Sequence, residues 1–160
     1  MLSISMPWLP EIPDNKKDFL KKKVSLEKLK KISNYRLNNL QLSSIAKKLK
    51  GFSSEDFKAN NIQRYKLGIL SNATYDLIND VLIGTALRYG IQLKLCVPGF
   101  DQITQQSVSP SSEINSNKLD AVLIAEDYRG LSLKDCIKDS EFAKVQVDKA
   151  LKLLKDRIAS

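Results

Sequence analysis

The sequence predicts an α/β protein: a helical N-terminal lead-in over residues 1–60, then a small parallel sheet flanked by helices over residues 61–160. Two patterns point there. Before residue 61 the apolar residues recur at helical spacing. After it, short apolar runs ("KLGIL", "IQLKLCV", "LDAVLIAED") alternate with longer helical stretches, the signature of strands joined by crossover helices. A chain of 160 residues with 42% hydrophobic residues can bury one core, or one core plus an appendage.

Taken in order, "PWLPEIPD" is too proline-rich for regular structure, and Trp8 and Leu9 are expected to anchor it to the domain surface. Ser25 stands as the N-cap of a helix whose Leu26, Leu29 and Ile32 share a face. A second helix is expected from about Ser33 to Lys50, with Leu37, Leu40, Ser44, Ile45 and Leu49 inward and Gly51 as its stop. "SSEDF" has the form of a short capped turn of helix.

From Tyr65 the pattern changes. "KLGIL" is expected to be a buried strand, and "TYDLINDVLIGTALRYG" a helix carrying Leu77, Ile78, Val81, Leu82, Thr85, Ala86 and Tyr89 on one stripe, ended by Gly90. "IQLKLCV" alternates apolar and polar residues, as an edge strand with one wetter face does. "LDAVLIAED" is continuously apolar and is expected to be a central parallel strand. A last helix spans roughly Ser140 to Ile158, its stripe formed by Phe142, Val145, Val147, Leu151, Leu154 and Ile158. Right-handed crossovers then give a three-layer αβα half-sheet of strand order 2-1-3, with the Tyr65 strand in the middle.

Composition excludes several chemistries. With no histidine, neither a Ser-His-Asp nor a Cys-His hydrolytic site can be built within this chain, and zinc ligation by imidazole is impossible. Cys96 and Cys136 match no metal spacing and are expected to be reduced, structural thiols of a cytoplasmic protein. No apolar run reaches the roughly 20 residues of a membrane span, and the first residues lack the charged and apolar regions of a secretory signal. The net charge of +8 is uneven. Residues 1–66 hold 15 Lys and Arg against 6 Asp and Glu, a net +9, and residues 67–160 hold 11 against 12, a net −1. Such an asymmetry can mark a nucleic-acid surface, but a Lys-rich helix face is more often simply solvated. Nucleic acid is the poorer fit, because few aromatic residues interleave the lysines.

In open parallel sheets, ligands sit at the carboxyl ends of the strands. Here that edge gathers Ser71, Asn72, Ala73 and Thr74 after the first strand, Gly99 after the second, and Asp127 and Arg129 after the third. The "SNAT" turn is either a helix cap or an anion pocket at a helix N-terminus, to which Arg129 adds a fork of donors. A P-loop or a dinucleotide fingerprint is ruled out, since the glycines each needs are missing.

Several stretches together, in order, resemble one family. "MPWLPEIPD", "YRLNNLQLSSIAKKL", "LGILSNATYDLI", "IGTALRYGIQLKL", "GFDQITQQSVSPSSEI" and "LDAVLIAEDYRGL" are similar to the N-terminal part of FkbH-like proteins, subclass IIIC phosphatase-like members of the haloacid dehalogenase superfamily. The resemblance covers nearly all of Pro7 to Leu131 and rests on the ordered set, not on one motif. It implies a fold similar to SGNH hydrolases and flavodoxins. In the hydrolases a Gly-Asp-Ser turn carries the nucleophile; here Ser71, Asn72 and Ala73 stand in those places, so Ala73 replaces the nucleophile. The resemblance therefore implies no catalytic residue and no metal or cofactor in this segment. Mg²⁺ is expected only in a haloacid-dehalogenase domain with an Asp-x-Asp motif, a pattern this sequence does not contain. The chain is accordingly expected to be a fragment or an accessory version of a longer enzyme. Family members are associated with moving a glyceryl unit from a phosphorylated three-carbon intermediate to an acyl carrier protein, in polyketide or surface-glycan pathways. Lys16, Lys17, Lys21, Lys22, Lys23, Lys28, Lys30 and Lys31 are the residues expected to steer an acidic carrier protein. The competing expectations are a free-standing basic binding module and a weak esterase acting through Thr74 or Ser71.

Overall fold

The computed structural model describes residues 7–14, 24–131, 133 and 139–159. Lys16, Lys17, Lys21, Lys22, Lys23 and Cys136 lie outside the described residues, as does the side chain of Leu77. The described elements run α1 (Leu26–Ser33), α2 (Asn39–Leu49), α3 (Ser54–Ala59), β1 (Gln63–Ser71), α4 (Asp76–Ala86), β2 (Ile91–Cys96), α5 (Ile103–Val108), α6 (Glu113–Ser116), β3 (Ala121–Ala125) and α7 (Ser140–Ala159). The strands form a three-stranded parallel sheet in the order β2-β1-β3, as expected. β1 and β3 run parallel in a register that sets Leu67 against Ala121 and Ser71 against Ala125.

The chain packs as two compact units. The first comprises the described residues through Tyr65 together with Asp76–Leu95. Its core joins Leu26, Leu29 and Ile32 of α1 to Leu42, Ile45 and Leu49 of α2, with Phe57, Ile62, Val81 and Leu87. Ser25 caps α1 by accepting from the Lys28 backbone N–H at 3.4 Å, as its position predicts. Ser53 and Asp56 form the capping box of α3. Gly90, at φ 71°, closes the 3₁₀ turn Leu87–Tyr89 in the left-handed region that glycine tolerates. Arg88 donates from Nε to the Ser33 carbonyl at 2.6 Å and from Nη2 to the Tyr35 carbonyl at 3.3 Å, satisfying acceptors left open at the end of α1.

Several expectations need correction in this unit. Trp8 is exposed, and Ile12 is the buried residue of the proline-rich segment. That segment is held instead by a single parallel bridge between Glu11 and Arg36, an ion pair between their side chains, and a 2.8 Å bond from the Arg36 N–H to the Pro10 carbonyl. The second helix begins at Asn39, not near Ser33. Asn38 and Gln41 form a reciprocal capping box there, which is a stronger start signal than the apolar spacing upstream. The inward stripe is consequently Leu42, Ile45, Ala46 and Leu49, and Leu40 points to solvent. On α4 the buried positions are Val81 and Gly84, followed by Leu87; Ile78 and Tyr89 are exposed.

The second unit comprises Lys66–Tyr75 and the described residues from Cys96 onward. Leu70, Ile103 and Ile114 form its buried nucleus, with Cys96, Leu119 and Ile124 against it. The connection between β2 and β3 is stitched by its own side chains. Asn115 Nδ2 donates to the carbonyls of Ser107 (2.9 Å) and Ser109 (3.0 Å), and the Ser112 hydroxyl donates to the Gln106 carbonyl at 2.7 Å. The run "LDAVLIAED" supplies an edge strand, not a central one, because the sheet has β1 at its middle. Val122 is 44% and Leu123 45% exposed as a result. On α7 the expected stripe also faces outward: Phe142, Val145, Val147, Leu151 and Ile158 are exposed, and Ala150 is the buried residue.

Backbones approach closely at Gly84, where a Cβ would run into the backbone of Leu42 on α2. A main-chain carbonyl inside a helix has no side rotamer to yield, so helix would have to move from helix. Gly84→Ala is expected to destabilise the protein by about 1–3 kcal/mol despite its better helix propensity. Chemical denaturation with far-ultraviolet circular dichroism measures this, and a stability equal to or above the native chain's would contradict the close packing.

Candidate functional site

The strand-end residues named from the sequence all lie in the second unit. β1 brings Ser71 to the edge of the sheet and buries it, and its hydroxyl accepts from the Ala73 N–H at 2.9 Å. This is a local hydroxyl turn, in which the oxygen closes its own loop. Asn72 follows, and its side chain spans to the segment after β3. It donates from Nδ2 to Asp127 Oδ1 at 2.7 Å and accepts from the Asp127 N–H at 3.2 Å. The ends of two neighbouring parallel strands are thereby tied reciprocally.

Asp127 is the hub of the cluster. Beyond Asn72, its carboxylate accepts from the Arg129 backbone N–H at 3.0 Å, from Arg129 Nε at 2.7 Å and from Arg129 Nη2. The Arg129 guanidinium, then the Asn72 amide, hold the Asp127 carboxyl down to about 2. The same contact raises Arg129 above its ordinary value. A carboxylate held ionised by so many donors is a poor general base at neutral pH. Its partner's guanidinium is spent on it, so an external anion reaches Arg129 only in competition with Asp127.

Ala73 and Thr74 are exposed, and the helix that follows begins at Asp76. Gly99 is exposed, and a Cβ there would meet the side chain of Gln102. The structure therefore gathers Asn72, Asp127 and Arg129 into one bonded group, with Ser71 and Ala73 in a turn beside it. No general base contacts a hydroxyl in this group. Cys96 is no substitute nucleophile: burial first, and then its bond to Glu113 at 3.4 Å, push its thiol up. Among the described residues no three His, Cys, Asp or Glu side chains cluster to hold a metal.

Of the lysines proposed for docking, three are described. Lys31 pairs with Glu27 at 2.6 Å along α1, with both side chains well exposed. Lys30 donates to the Asn60 carbonyl at 3.3 Å, and Lys28 is exposed. The sequence reading passed over two other cations. Lys58 and Arg64 line an open cavity of about 710 Å³ in the first unit, with Ser54, Asn61, Gln63 and Gln92 and without any carboxylate. Their 6-residue separation hides them, since one lies on α3 and the other on β1. A second omission is the pair between Arg157 on α7 and Glu126, whose side chains are only 7% and 4% exposed. Nothing in the sequence links two residues 31 positions apart.

The Asp127 cluster has a pH signature. A folded carboxyl near 2, against an ordinary value of about 3.9, contributes stability that is complete above about pH 4 and disappears as the pH falls towards 2. Carboxyl ¹³C shifts should show Asp127 titrating near 2 in the native protein and close to the ordinary value in Arg129→Ala. Ordinary titration in the native chain would break the assignment.

No helix among the described residues is long and apolar enough to cross a membrane. No protein-family model and no curated protein matches the chain. One similar solved structure is the N-terminal part of the protein BF1531 from Bacteroides fragilis, which contains a phosphatase domain and is complexed with Mg. The TM-score is 0.51 at 14% identity, over 84% of this chain and 30% of that one. The likeness is one of fold, and this chain spans less than a third of that neighbour's length.

Proposed function

We propose that this chain is a non-catalytic N-terminal domain of the FkbH-like type, with an SGNH-like sheet, that binds an acidic acyl carrier protein in the cytoplasm. In this reading it serves a haloacid-dehalogenase domain that transfers a glyceryl unit from a phosphorylated three-carbon intermediate, and that domain alone requires Mg²⁺. The observation that carries the non-catalytic half is the Asn72–Asp127–Arg129 group, which ties the strand ends together with satisfied polar groups. The family resemblance sets Ala73, in the turn beside it, at the place of a nucleophile. The fold likeness to a protein part that contains a phosphatase domain agrees with the family assignment without reaching its chemistry.

The docking half is supported by charge. Residues 1–66 carry the whole excess of positive charge, and the 710 Å³ cavity of the first unit has Lys58 and Arg64 but no acidic residue in its lining. An acidic helix laid there would meet cations without meeting repulsion. Exposed pairs of this kind set association rate and salt dependence more than they set final affinity.

The experiment is a titration of an acidic acyl carrier protein into the purified chain. Binding is expected to weaken as salt rises, and Lys58→Glu with Arg64→Glu should lower affinity about tenfold or more at low salt. Binding that ignores both salt and these substitutions would remove the docking reading. Separately, turnover of an activated ester above background, lost in Thr74→Ala, would remove the non-catalytic one.

A further inference from the structure

The outward face of α7 has an order that its exposure does not require. Val147, Leu151, Leu154 and Ile158 follow one another at steps of four, three and four residues, the spacing of a helix–helix seam. Val147 is 51%, Leu151 49% and Ile158 76% exposed, with Leu154 half-buried. At 100° per residue the seam lies about a quarter turn from the face that Ala150 and Arg157 press inward. Ile158 reaches back towards the unit's core, lining a cleft with Leu70 and Ile114, while Val147 and Leu151 stand out from it. Val122 of β3 shares the lining of that cleft, of about 240 Å³, so the apolar surface continues from the helix onto the open sheet edge.

The seam is symmetrical about its own midpoint, which falls between Lys152 and Leu153. Rotating a second α7 by a half turn about that point sets Val147 against the partner's Ile158 and Leu151 against the partner's Leu154. The flanking charges obey the same symmetry. Asp148 and Lys155 both border the seam on the side away from Ala150 and Arg157. In the antiparallel pair Asp148 comes within two residues, about 3 Å along the axis, of the point facing the partner's Lys155. The two-fold makes this contact twice, with opposite charges each time. A parallel pairing has no such merit, since its two-fold runs along the helices and sets the Asp148–Lys155 flanks of the two copies on opposite sides of the seam.

From this self-complementarity we infer that α7 is an isologous interface, and that its occupant is the antiparallel α7 of a second copy of this chain. The inference is independent of the carrier-protein reading, which concerns residues of the first unit.

Sedimentation equilibrium of the full chain tests it. A dimer is expected, and Leu151→Asp should make it monomeric with an unchanged circular dichroism spectrum. Should Leu151→Asp fail to fold, the charges decide. Asp148→Lys should weaken the dimer about three- to tenfold at low salt, and adding Lys155→Asp should restore it to within about twofold of native. A native chain that stays monomeric at hundreds of micromolar, or whose α7 seam is covered by a different polypeptide, overturns the inference. So does a dimer indifferent to the single and double charge swaps.

Discussion

One buried ion pair governs the second unit. Arg157 reaches Glu126 with both side chains almost fully enclosed, and its Nη2 also donates to Thr104 Oγ1 at 2.8 Å. Withdrawing two charges from water costs several kcal/mol per ion, and only close, well-bonded geometry recovers it. Once Arg157 must point inward, the rotation of α7 is decided. The residues one and two turns earlier on that side, Leu153 and Ala150, follow it in, and Ala150 becomes the buried position of the helix. Gly130 takes part in the same constraint, because a Cβ there would collide with the Glu126 side chain. The helix thus encloses Arg157 and Ala150 and leaves Val145, Val147, Leu151 and Ile158 outside.

Consecutive acids after β3 divide the polar work of that strand end. Glu126 goes to Arg157, which also holds Thr104, and Asp127 goes to Asn72 and Arg129. The first contact is sequestered and structural. The second is half-exposed, so solvent screens its strength, and its use is geometric: it fixes the spacing of the β1 and β3 termini. In both cases the acid is committed to an internal partner. The strand ends built this way have their charged groups already paired within the chain.

The sequence made some of this legible and hid the rest for identifiable reasons. α1 could be read whole, because Ser25, Leu26, Leu29 and Ile32 act through neighbours three and four residues away. The strand order 2-1-3 followed from chain topology alone. The start of α2 was missed because Asn38 and Gln41 cap it against an apolar pattern that continues upstream through Leu37. The central placement of "LDAVLIAED" failed because an apolar run measures what a strand can bury, not whether a neighbour is there to bury it. Asn72, Asp127 and Arg129 are each legible as strand-end residues, but their mutual bonding is not, since 55 residues separate the amide from the carboxylate. The α7 stripe failed most instructively: its periodicity is real, and a long-range ion pair turned it the other way.

That inversion bears on what kind of protein this is. Exposed apolar surface is costly to keep, and a soluble chain usually spends it on contact with another surface. In the second unit that surface includes β3, where Val122 and Leu123 stand open, the outer face of α7, and Phe100 and Tyr128 in the strand-end loops, with Val122 and Ile158 meeting in one cleft. The polar groups of the same unit are the reverse case: the hydroxyl of Ser71, the amide of Asn72 and the carboxylates of Glu126 and Asp127 each have a partner within the chain. Reactivity needs unsatisfied polar groups held in place, and recognition needs unsatisfied area. By that measure the unit pairs the polar groups at its strand ends within the chain and leaves apolar area on the outside.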